Sequence, residues 1–459
     1  MGILVEWNFT GGLALIDGSL PLVSGSLPLV GGDVISRISY QSPQLAGKWR
    51  PRITGFSPII RKNDEYYGGY NRFDFGEIAI ALDHFSDADD WPPRLKASMR
   101  AWYTPDTEAN RELFFDGVVH RTAFSPYEGT ATYALKSAKY GAQVLVEREN
   151  HDGDVAPMPR AFGAVTHEET VRLPDSGSGR QSYWRCHLAG TVGVDWHVFD
   201  DGVDIDSKVV ISSDPYVFDL FSPPVGRVTV SGTGDAESLV EVFDWACTGS
   251  DDKGGKLLDL TLDSTLAASH DLAWMQRSQV NLIDWLSGVA AFFTHYFYIE
   301  DNTLVLADLA EDNGSSTLGI ADYTDVSVSD LSRVSGLRAK WTVYSAVEET
   351  IGKYVKAEDK EVLIPTIYTA GDEKNIDVYS TDKAVVESQL AAIAEILNGH
   401  WIQIRRPLSG AFPDPGKKYT ISETRGPRDT LIVMRSRELR YDLFGNKPMV
   451  TISGNGTLT

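Results

Sequence analysis

The sequence is poor in the residues that build redox and metal sites. Only two cysteines occur in 459 residues, Cys186 and Cys247, and neither lies in a CxxC pattern. Two cysteines are too few for a disulfide framework, and the nine histidines show no HExxH or HxH spacing. We therefore expect two small buried thiols, assembly in a reducing cytoplasm, and no zinc site, iron–sulfur centre or other cofactor.

Long apolar runs and nucleophile motifs are also missing. No stretch of about 18 consecutive apolar residues occurs, so we expect no membrane-spanning helix. The chain has no GxSxG elbow, no phosphate-binding Walker loop and no dinucleotide fingerprint. These absences disfavour serine hydrolases, nucleotide hydrolases and dehydrogenases, and we expect a protein that is not an enzyme.

Positive charge is scarce overall but concentrated near the C-terminus. The chain has 42 Lys and Arg against 64 Asp and Glu, a net charge of −22, so most of its surface repels a nucleic-acid duplex. From His400 to Arg440, nine basic residues face only four acidic ones. This stretch predicts contact with an acidic neighbour, such as an adjacent copy of the chain, or else a strand face neutralised by acids elsewhere in the fold. The candidate inter-subunit residues are Arg405, Arg406, Lys417, Lys418, Arg435 and Arg437.

Short segments in which apolar and polar residues alternate are abundant. A chain of this length is too long for one core and divides into several domains of roughly 100 to 150 residues. Between residues 33 and 157, apolar–polar alternation is broken by turn pairs such as Gly68-Gly69 and Asp116-Gly117, which predicts a β-barrel or sandwich. Residues 158–234 contain further strands, with a hairpin turn at Asp201-Gly202.

Three helices interrupt the strands. An apolar face from Leu239 to Cys247 predicts the first helix, which ends at Gly249. The second runs from Leu282 to Phe293 and leads into an aromatic strand, a turn at Asp301-Asn302 and another apolar strand. The third spans residues 382–398, with Thr381 as its N-cap, and only strands follow. The pattern predicts an α+β, predominantly β fold in which helices cover sheets.

Several of these segments resemble the central hub proteins of bacteriophage tails, both the tail-tip hubs of siphophages and the tube-like hubs of contractile tails. The resemblance covers about residues 33–456. The segments that carry it are NLIDWLSGVAAFFTHYFYIEDNTLVLAD at 281–308, FDGVVHRTAF at 115–124, PRAFGAVTHEETVRL at 159–173, FSPPVGRVTVSG at 221–232, PLSGAFPDPGKKYTI at 407–421 and MVTISGNG at 449–456.

The resemblance implies a specific architecture. It implies two barrels related to the tail tube, at residues 33–157 and 330–459, each covered by a helix. Between them it implies a β-rich intermediate domain at 158–234 and a helix-plus-hairpin region at 235–329. An extended arm at 1–32 would precede the first barrel.

The resemblance also implies a role and partners. In the family, three subunits form a ring that joins the tail tube to the tip or fibre proteins, and DNA passes through the ring without specific binding. We therefore expect a virion protein that forms a homotrimer. Its further partners would be the tail tube or distal tail protein, tip or fibre proteins, and the tape-measure protein.

Two other functions remain open on residue grounds. Trp91, Trp102, Trp184 and Trp196 would stack on sugars in a receptor- or carbohydrate-binding tail protein, although core packing is the commoner fate of tryptophan. The alternating positions of Asp204 and Asp206 place both carboxylates on one strand face. A glycosidase, such as a cell-wall hydrolase acting on peptidoglycan, needs two carboxylates across a cleft, and a chance pair is expected among 64 acidic residues.

Two further groups have a metal-binding interpretation. Asp83, Asp87, Asp89 and Asp90 offer oxygen ligands for calcium, but the glycine and distal Glu of an EF-hand are absent, so a solvated acidic loop is the alternative. For His295, with its aromatic neighbours, we expect a packed strand residue and not a ligand.

Overall fold

The fold is taken from a computed structural model, which describes part of the chain. The described residues are 2–9, 34–40, 50–81, 96–104, 111–125, 127–137, 144–145, 159–173, 179–212, 214, 216–234, 236–249, 257–264, 266, 270–277, 280–300, 302–311, 314–319, 321–330, 334–349, 352–369, 371–408, 412–413, 415–423, 430–444 and 447–458. The predicted acidic loop from Asp83 to Asp90 lies outside them, as does most of the predicted arm at residues 1–32.

Within these residues the chain forms 32 strands and three helices in several sheets, which agrees with the predominantly β prediction. The first strands are β1 (Gly2–Phe9), β2 (Val34–Tyr40), β3 (Arg50–Pro51), β4 (Ile53–Phe56), β5 (Ile59–Glu65), β6 (Gly68–Phe75), β7 (Glu77–Ala81), β8 (Lys96–Thr104), β9 (Glu112–Ser125), β10 (Thr130–Ser137) and β11 (Val144–Leu145). Next come β12 (Arg160–Glu169), β13 (Gln181–Trp184), β14 (Trp196–Asp200), β15 (Val203–Asp204), β16 (Val209–Ile211), β17 (Val217–Leu220) and β18 (Val228–Thr233).

The helices lie in the second half. The order is α1 (Leu239–Thr248), β19 (Thr261–Ser264), β20 (Ala273–Gln276), β21 (Val280–Asn281), α2 (Leu282–Phe292), β22 (His295–Glu300), β23 (Thr303–Asp308), β24 (Ser315–Leu318) and β25 (Asp325–Asp330). The remaining elements are β26 (Gly336–Glu349), β27 (Gly352–Pro365), β28 (Glu373–Asn375), α3 (Lys383–Leu397), β29 (His400–Pro407), β30 (Lys418–Glu423), β31 (Thr430–Asp442) and β32 (Met449–Leu458). Among the described residues, no helix is both long and apolar enough to cross a membrane.

The first sheet has eight strands and curls until its two edges meet. Its order is β3-β2-β1-β8-β9-β10-β7-β4. Pro51 on one edge pairs with Ser39, whereas Ile53 on the other edge pairs with Ile80. Arg52 alone separates these edges in the chain, so they must lie side by side. Over the described residues the ladder itself does not close, and the sheet is a strongly curled open one where a closed barrel was predicted.

The largest sheet is built from both ends of the chain. Its order is β19-β23-β22-β6-β5-β31-β32-β29-β25, and β30 joins β31 to β24. The β5–β6 hairpin therefore lies between β31 on one side and β22 on the other. One apolar core, which contains Tyr133 and Val450, packs the first sheet against the C-terminal strands. The two β-rich ends of the chain are thus a single packed unit.

A second core lies around the three helices, and their ends largely match the sequence. Ser238 and Glu241 form a reciprocal capping box at the start of α1, which ends at Gly249 as predicted. The N-cap of α3 is Asp382, so the predicted Thr381 is wrong by one residue. The Asp382 carboxylate accepts the Ala384 N–H at 2.8 Å, while the Thr381 N–H is used in a bond to a strand carbonyl.

The intermediate part of the chain, β12 to β18, has a third core around Trp184, Trp196 and Phe218. Its predicted turn at Asp201-Gly202 is confirmed, since both residues have positive φ, 48° and 82°, as a tight hairpin turn requires. This turn contacts the long β26–β27 hairpin, because the Asp201 carboxylate accepts the Val355 N–H at 3.2 Å. This hydrogen bond satisfies the backbone N–H of Val355, which lies in the half of the β26–β27 hairpin nearer its turn.

The tip of the β5–β6 hairpin is locked onto α2 by a polar contact and by two glycines. The Ser287 hydroxyl donates to Asp64 at 2.7 Å and accepts the Tyr70 N–H at 2.9 Å. Burial raises the pKa of Asp64, and the Ser287 hydrogen bond opposes that rise. Gly68 and Gly69 have positive φ and pass so close to α2 and the start of β22 that no side chain fits.

We predict that Gly68→Ala destabilises the protein strongly. A Cβ at this position would lie 2.1 Å from the His295 carbonyl oxygen and 3.0 Å from the Ala291 Cα. Gly352→Ala is the matched control, because Gly352 has a similar φ of 128° against 140° but no atom within 4 Å of its Cβ position. The control should lose about 1–3 kcal/mol from backbone strain. Gly68→Ala should lose about 2 kcal/mol more from overpacking, as measured by urea unfolding. Equal losses would contradict the close docking of the hairpin tip.

Candidate functional site

Basic side chains from distant parts of the chain lie on one face of the largest sheet. Arg405 lies across from Thr451, which lies across from Arg440. Directly opposed residues share a face, and strands lie about 4.8 Å apart, so the two arginines are roughly 10 Å apart at the backbone. Both are exposed.

A β-bulge brings two more predicted residues to this face. Arg435 and Arg440 are five positions apart, which in a regular strand places them on opposite faces. The register shifts between Ser436 and Glu438, so Arg437 is an extra residue and the alternation is restored beyond it. Arg435 therefore shares the face of Arg440, and Lys418 lies directly across from Arg435.

Sequence reasoning missed two members of the set. Lys62 lies across from Glu438, and Arg72 lies across from Lys62, so the β5–β6 hairpin adds two cations to the same face. We call Lys62, Arg72, Arg405, Lys418, Arg435 and Arg440 the basic face. The register also places Asp74, Asp325 and Glu438 on this face. Two further carboxylates form ion pairs with its cations: Asp64 with Arg72 at 2.9 Å and Asp442 with Arg440 at 3.5 Å. No signal in the sequence links Lys62 to Arg440, because strand pairing alone unites them.

The other predicted basic residues lie elsewhere. Arg406 is across from Val450, which is part of the apolar core, so Arg406 points to the opposite side of the sheet from Arg405. Lys417 precedes β30 and is partly buried. The six predicted inter-subunit residues therefore do not form one surface.

Arg437 is an internal residue. Its side chain is only 6 % exposed, and its Nη2 donates to the Leu309 carbonyl at 2.6 Å. Burial lowers its pKa to about 10, so the guanidinium stays charged at neutral pH. Arg437 ties β31 to the end of the β22–β23 hairpin. A surface contact with a neighbouring subunit, as predicted for Arg437, does not fit this position.

The pair Asp204 and Asp206 is arranged differently from the prediction. The strand ends at Asp204, and a single 3-10 turn begins at Asp206, whose N–H donates to the Asp204 carboxylate at 2.9 Å. The two carboxylates therefore belong to one turn and do not face each other across a cleft, as glycoside hydrolysis requires.

His197 completes a group of possible metal ligands with this pair. Ligand atoms of His197, Asp204 and Asp206 all lie within 4.8 Å of one another. The His197 Nδ1 is 2.7 Å from Asp206 Oδ2, and Asp206 Oδ1 accepts the Val198 N–H at 2.7 Å. Nitrogen and carboxylate oxygen suit a transition-metal ion. The same atoms are also satisfied by each other, so the turn is complete without an ion.

The tryptophans expected of a sugar-binding surface are mostly buried. Trp184 and Trp196 are 2 % and 0 % exposed in the core of the intermediate part, and Trp102 is 9 % exposed. Trp91 lies outside the described residues. A buried indole has no face to offer to a sugar ring, so these positions do not support a carbohydrate platform.

His295 is buried in β22, as expected of a packed strand residue. Its Nδ1 lies 2.5 Å from the Phe293 carbonyl oxygen and donates to it. The ring of His270 meets the His295 ring edge-on at 5.1 Å and stacks on Phe293 at 5.0 Å. Burial lowers the pKa of both histidines, and the carboxylate of Asp308 opposes that effect.

No protein-family model matches the chain, and no curated protein matches it. Among solved structures, the 43 kDa tail protein of prophage MuSo2 from Shewanella oneidensis is similar with a TM-score of 0.44 and 9 % identity, covering 99 % of this chain and 98 % of that one. The tail protein from Neisseria meningitidis MC58 has a TM-score of 0.36 and 9 % identity, covering 87 % and 96 %. A chain of the virion of a native gene transfer agent particle has a TM-score of 0.39 and 11 % identity, covering 70 % and 89 %.

We predict that the paired histidines make the fold acid-sensitive. Their folded-state pKa values lie below the unfolded value of about 6.5, so folding favours the neutral rings. This stabilisation is present above about pH 6.5 and is lost as pH falls towards the folded values. The free energy of unfolding, measured in urea, should therefore drop more for wild type than for His295→Gln between about pH 7.5 and about pH 5.

A matched control for this measurement is His400→Gln, since His400 is only partly buried. The stability of this variant should fall with pH as that of wild type does, because the buried pair of His270 and His295 is intact in it. The same loss of stability in wild type and His295→Gln would show that the buried pair does not titrate with unfolding.

Proposed function

We propose that the chain is a structural protein of a bacteriophage tail, and specifically the central hub that joins the tail tube to tip or fibre proteins. What supports the proposal is that segments resembling hub proteins lie in the elements that hold the fold together. Residues 281–308 form α2, β22 and β23, against which the β5–β6 hairpin docks. The segment at 115–124 lies in β9, and the segment at 449–456 lies in β32.

The joining of the two β-rich ends also supports a hub. In the family that the sequence resembles, each subunit contributes two tube-like barrels, so three subunits match a sixfold tube. A subunit with this task needs its two β-rich parts held in a fixed relation. Here the first curled sheet and the C-terminal strands share one core, which includes Tyr133 and Val450.

The charge balance suits a passage for DNA. With a net charge of −22, a ring of such subunits would repel phosphates along most of its surface. DNA would then slide past the ring without exchanging counterions with it. We therefore propose that the wall of the channel through this ring is acidic and binds no DNA specifically.

We also propose that the role of the chain is purely structural. The receptor- or carbohydrate-binding alternative has less support, because Trp184 and Trp196 are core residues. A glycosidase role has less support, because Asp204 and Asp206 share one turn.

The test is made on particles from the phage or prophage that encodes the chain. We expect its peptides in purified tails, antibody label at the tip end of the tube, and a trimer of the 50.5 kDa chain by light scattering. Deletion of the gene should leave tubes and tips unjoined. Normal tails that lack the chain would refute the proposal. Glycan binding or peptidoglycan cleavage by a chain that is absent from tails would favour the rivals.

A further inference from the structure

One buried cation lacks an anionic partner among the described residues. Arg437, the extra residue of the bulge in β31, is only 6 % exposed. Its Nη2 donates to the Leu309 carbonyl at 2.6 Å, but its Nε and Nη1 are buried as well and have no hydrogen-bond acceptor in this part of the chain. Nε bears one N–H and Nη1 bears two, so most of the donors of this guanidinium are unsatisfied.

The positive charge of Arg437 persists at neutral pH. Burial is the main reason that its pKa is lowered to about 10, the nearby Arg435 adds to that effect, and Tyr296 and Asp308 oppose it. A guanidinium with this pKa is still protonated at neutral pH. The fold therefore buries a positive charge, which is destabilising unless an anion accompanies it.

The carboxylates closest to Arg437 are engaged elsewhere. Among the described residues, no Asp or Glu forms an ion pair with it. Asp308 acts on it only at a distance, and the Asp308 Oδ1 accepts the Ala310 N–H at 2.7 Å. Glu438 follows Arg437 in the chain but lies on the basic face, across from Lys62. The charge therefore has no protein counterion at hydrogen-bonding distance.

A small monovalent anion satisfies Arg437 better than water does. A water molecule accepts an N–H but leaves the charge uncompensated. Phosphate and sulfate are larger and more highly charged, and they are bound where several cations or backbone N–H groups converge. A single guanidinium that is almost enclosed by protein suits a monatomic anion of the size of chloride. Since part of the residue still borders on solvent, such an ion has a route to it.

We propose that Arg437 binds a chloride-sized anion through the N–H groups that have no acceptor in the described part of the protein. The site lies where β31 meets the end of the β22–β23 hairpin, because the same guanidinium donates to the Leu309 carbonyl. A bound anion would thus stabilise the joint between the C-terminal strands and the helical part of the fold. The site goes beyond the proposed function and does not depend on it.

Unfolding of the full-length chain by urea tests the site. Urea adds no ions, so sodium chloride can replace sodium gluconate, whose anion is too bulky for the site, at constant ionic strength. Measured at about pH 8, where the buried His270 and His295 are neutral, the effect cannot arise from protonated histidine. Above the dissociation constant, each tenfold rise in chloride should lower the unfolding equilibrium constant about tenfold, or about 1.4 kcal/mol.

Two arginine variants locate the effect. Arg437→Met removes the guanidinium at similar side-chain length, and its stability should be the same in chloride and in gluconate. Arg61→Met is the matched control, because Arg61 is 5 % exposed and equally internal, but its Nε donates to the Asn71 Oδ1 at 2.9 Å and its guanidinium lies 4.8 Å from the Phe73 ring centroid. Arg61→Met should keep the full response to chloride.

A measurement on wild type alone covers the case in which Arg437→Met does not fold. Crystals grown in sodium bromide should show an anomalous-scattering peak within hydrogen-bonding distance of the Arg437 guanidinium. Bromide should also stabilise the protein against urea as chloride does.

Three results would overturn the site. They are equal stability of wild type in chloride and gluconate, a chloride response that survives in folded Arg437→Met, and bromide crystals with only water beside the guanidinium. None of these results bears on whether the chain is present in phage tails, so the anion site and the proposed function fail separately.

Discussion

The fold depends on the backbone pairing of the β5–β6 hairpin with strands on both of its sides. Near its base, Ile59 pairs with Tyr441 of the C-terminal strands, and near its tip Tyr70 pairs with Phe297 beside the helices. The tip is fixed by Ser287, whose hydroxyl donates to the partly buried Asp64 carboxylate and accepts the Tyr70 N–H. Two glycines make the approach possible, since a Cβ on either one would overlap α2 or the first residue of β22. Without this hairpin, the helical core and the C-terminal strands would have no common sheet.

The pairing of the β5–β6 hairpin also determines where the charged side chains of the largest sheet lie. The basic face lies on β5, β6, β29, β30 and β31, and all five strands belong to the sheet that the hairpin completes. Backbone hydrogen bonds therefore hold the cations and carboxylates of this face in a fixed arrangement. The apolar core shared by the first sheet and the C-terminal strands makes this arrangement more rigid.

Local features of the fold were predictable, and long-range features were not. The capping box of α1, its end at Gly249 and the turn at Asp201-Gly202 follow from short-range chemistry, and the structure agrees. The sequence could not show that Lys62 and Arg440 share a face, since 377 positions separate residues that only strand pairing unites. It also failed at Arg437 and Asp206. A bulge makes Arg437 internal, and a 3-10 turn removes Asp206 from the strand, and both break the simple alternation of β-structure.

The most direct test of this account is native-state hydrogen exchange of the backbone amides in β5 and β6. If the hairpin joins the two halves of the sheet, these amides exchange only through global unfolding, with the same free energy as those of β22 and β31 and the same urea dependence. Exchange of the β5–β6 amides at a distinctly lower free energy, while β22 and β31 stay protected, would show that the two halves hold together without the hairpin and would contradict the account.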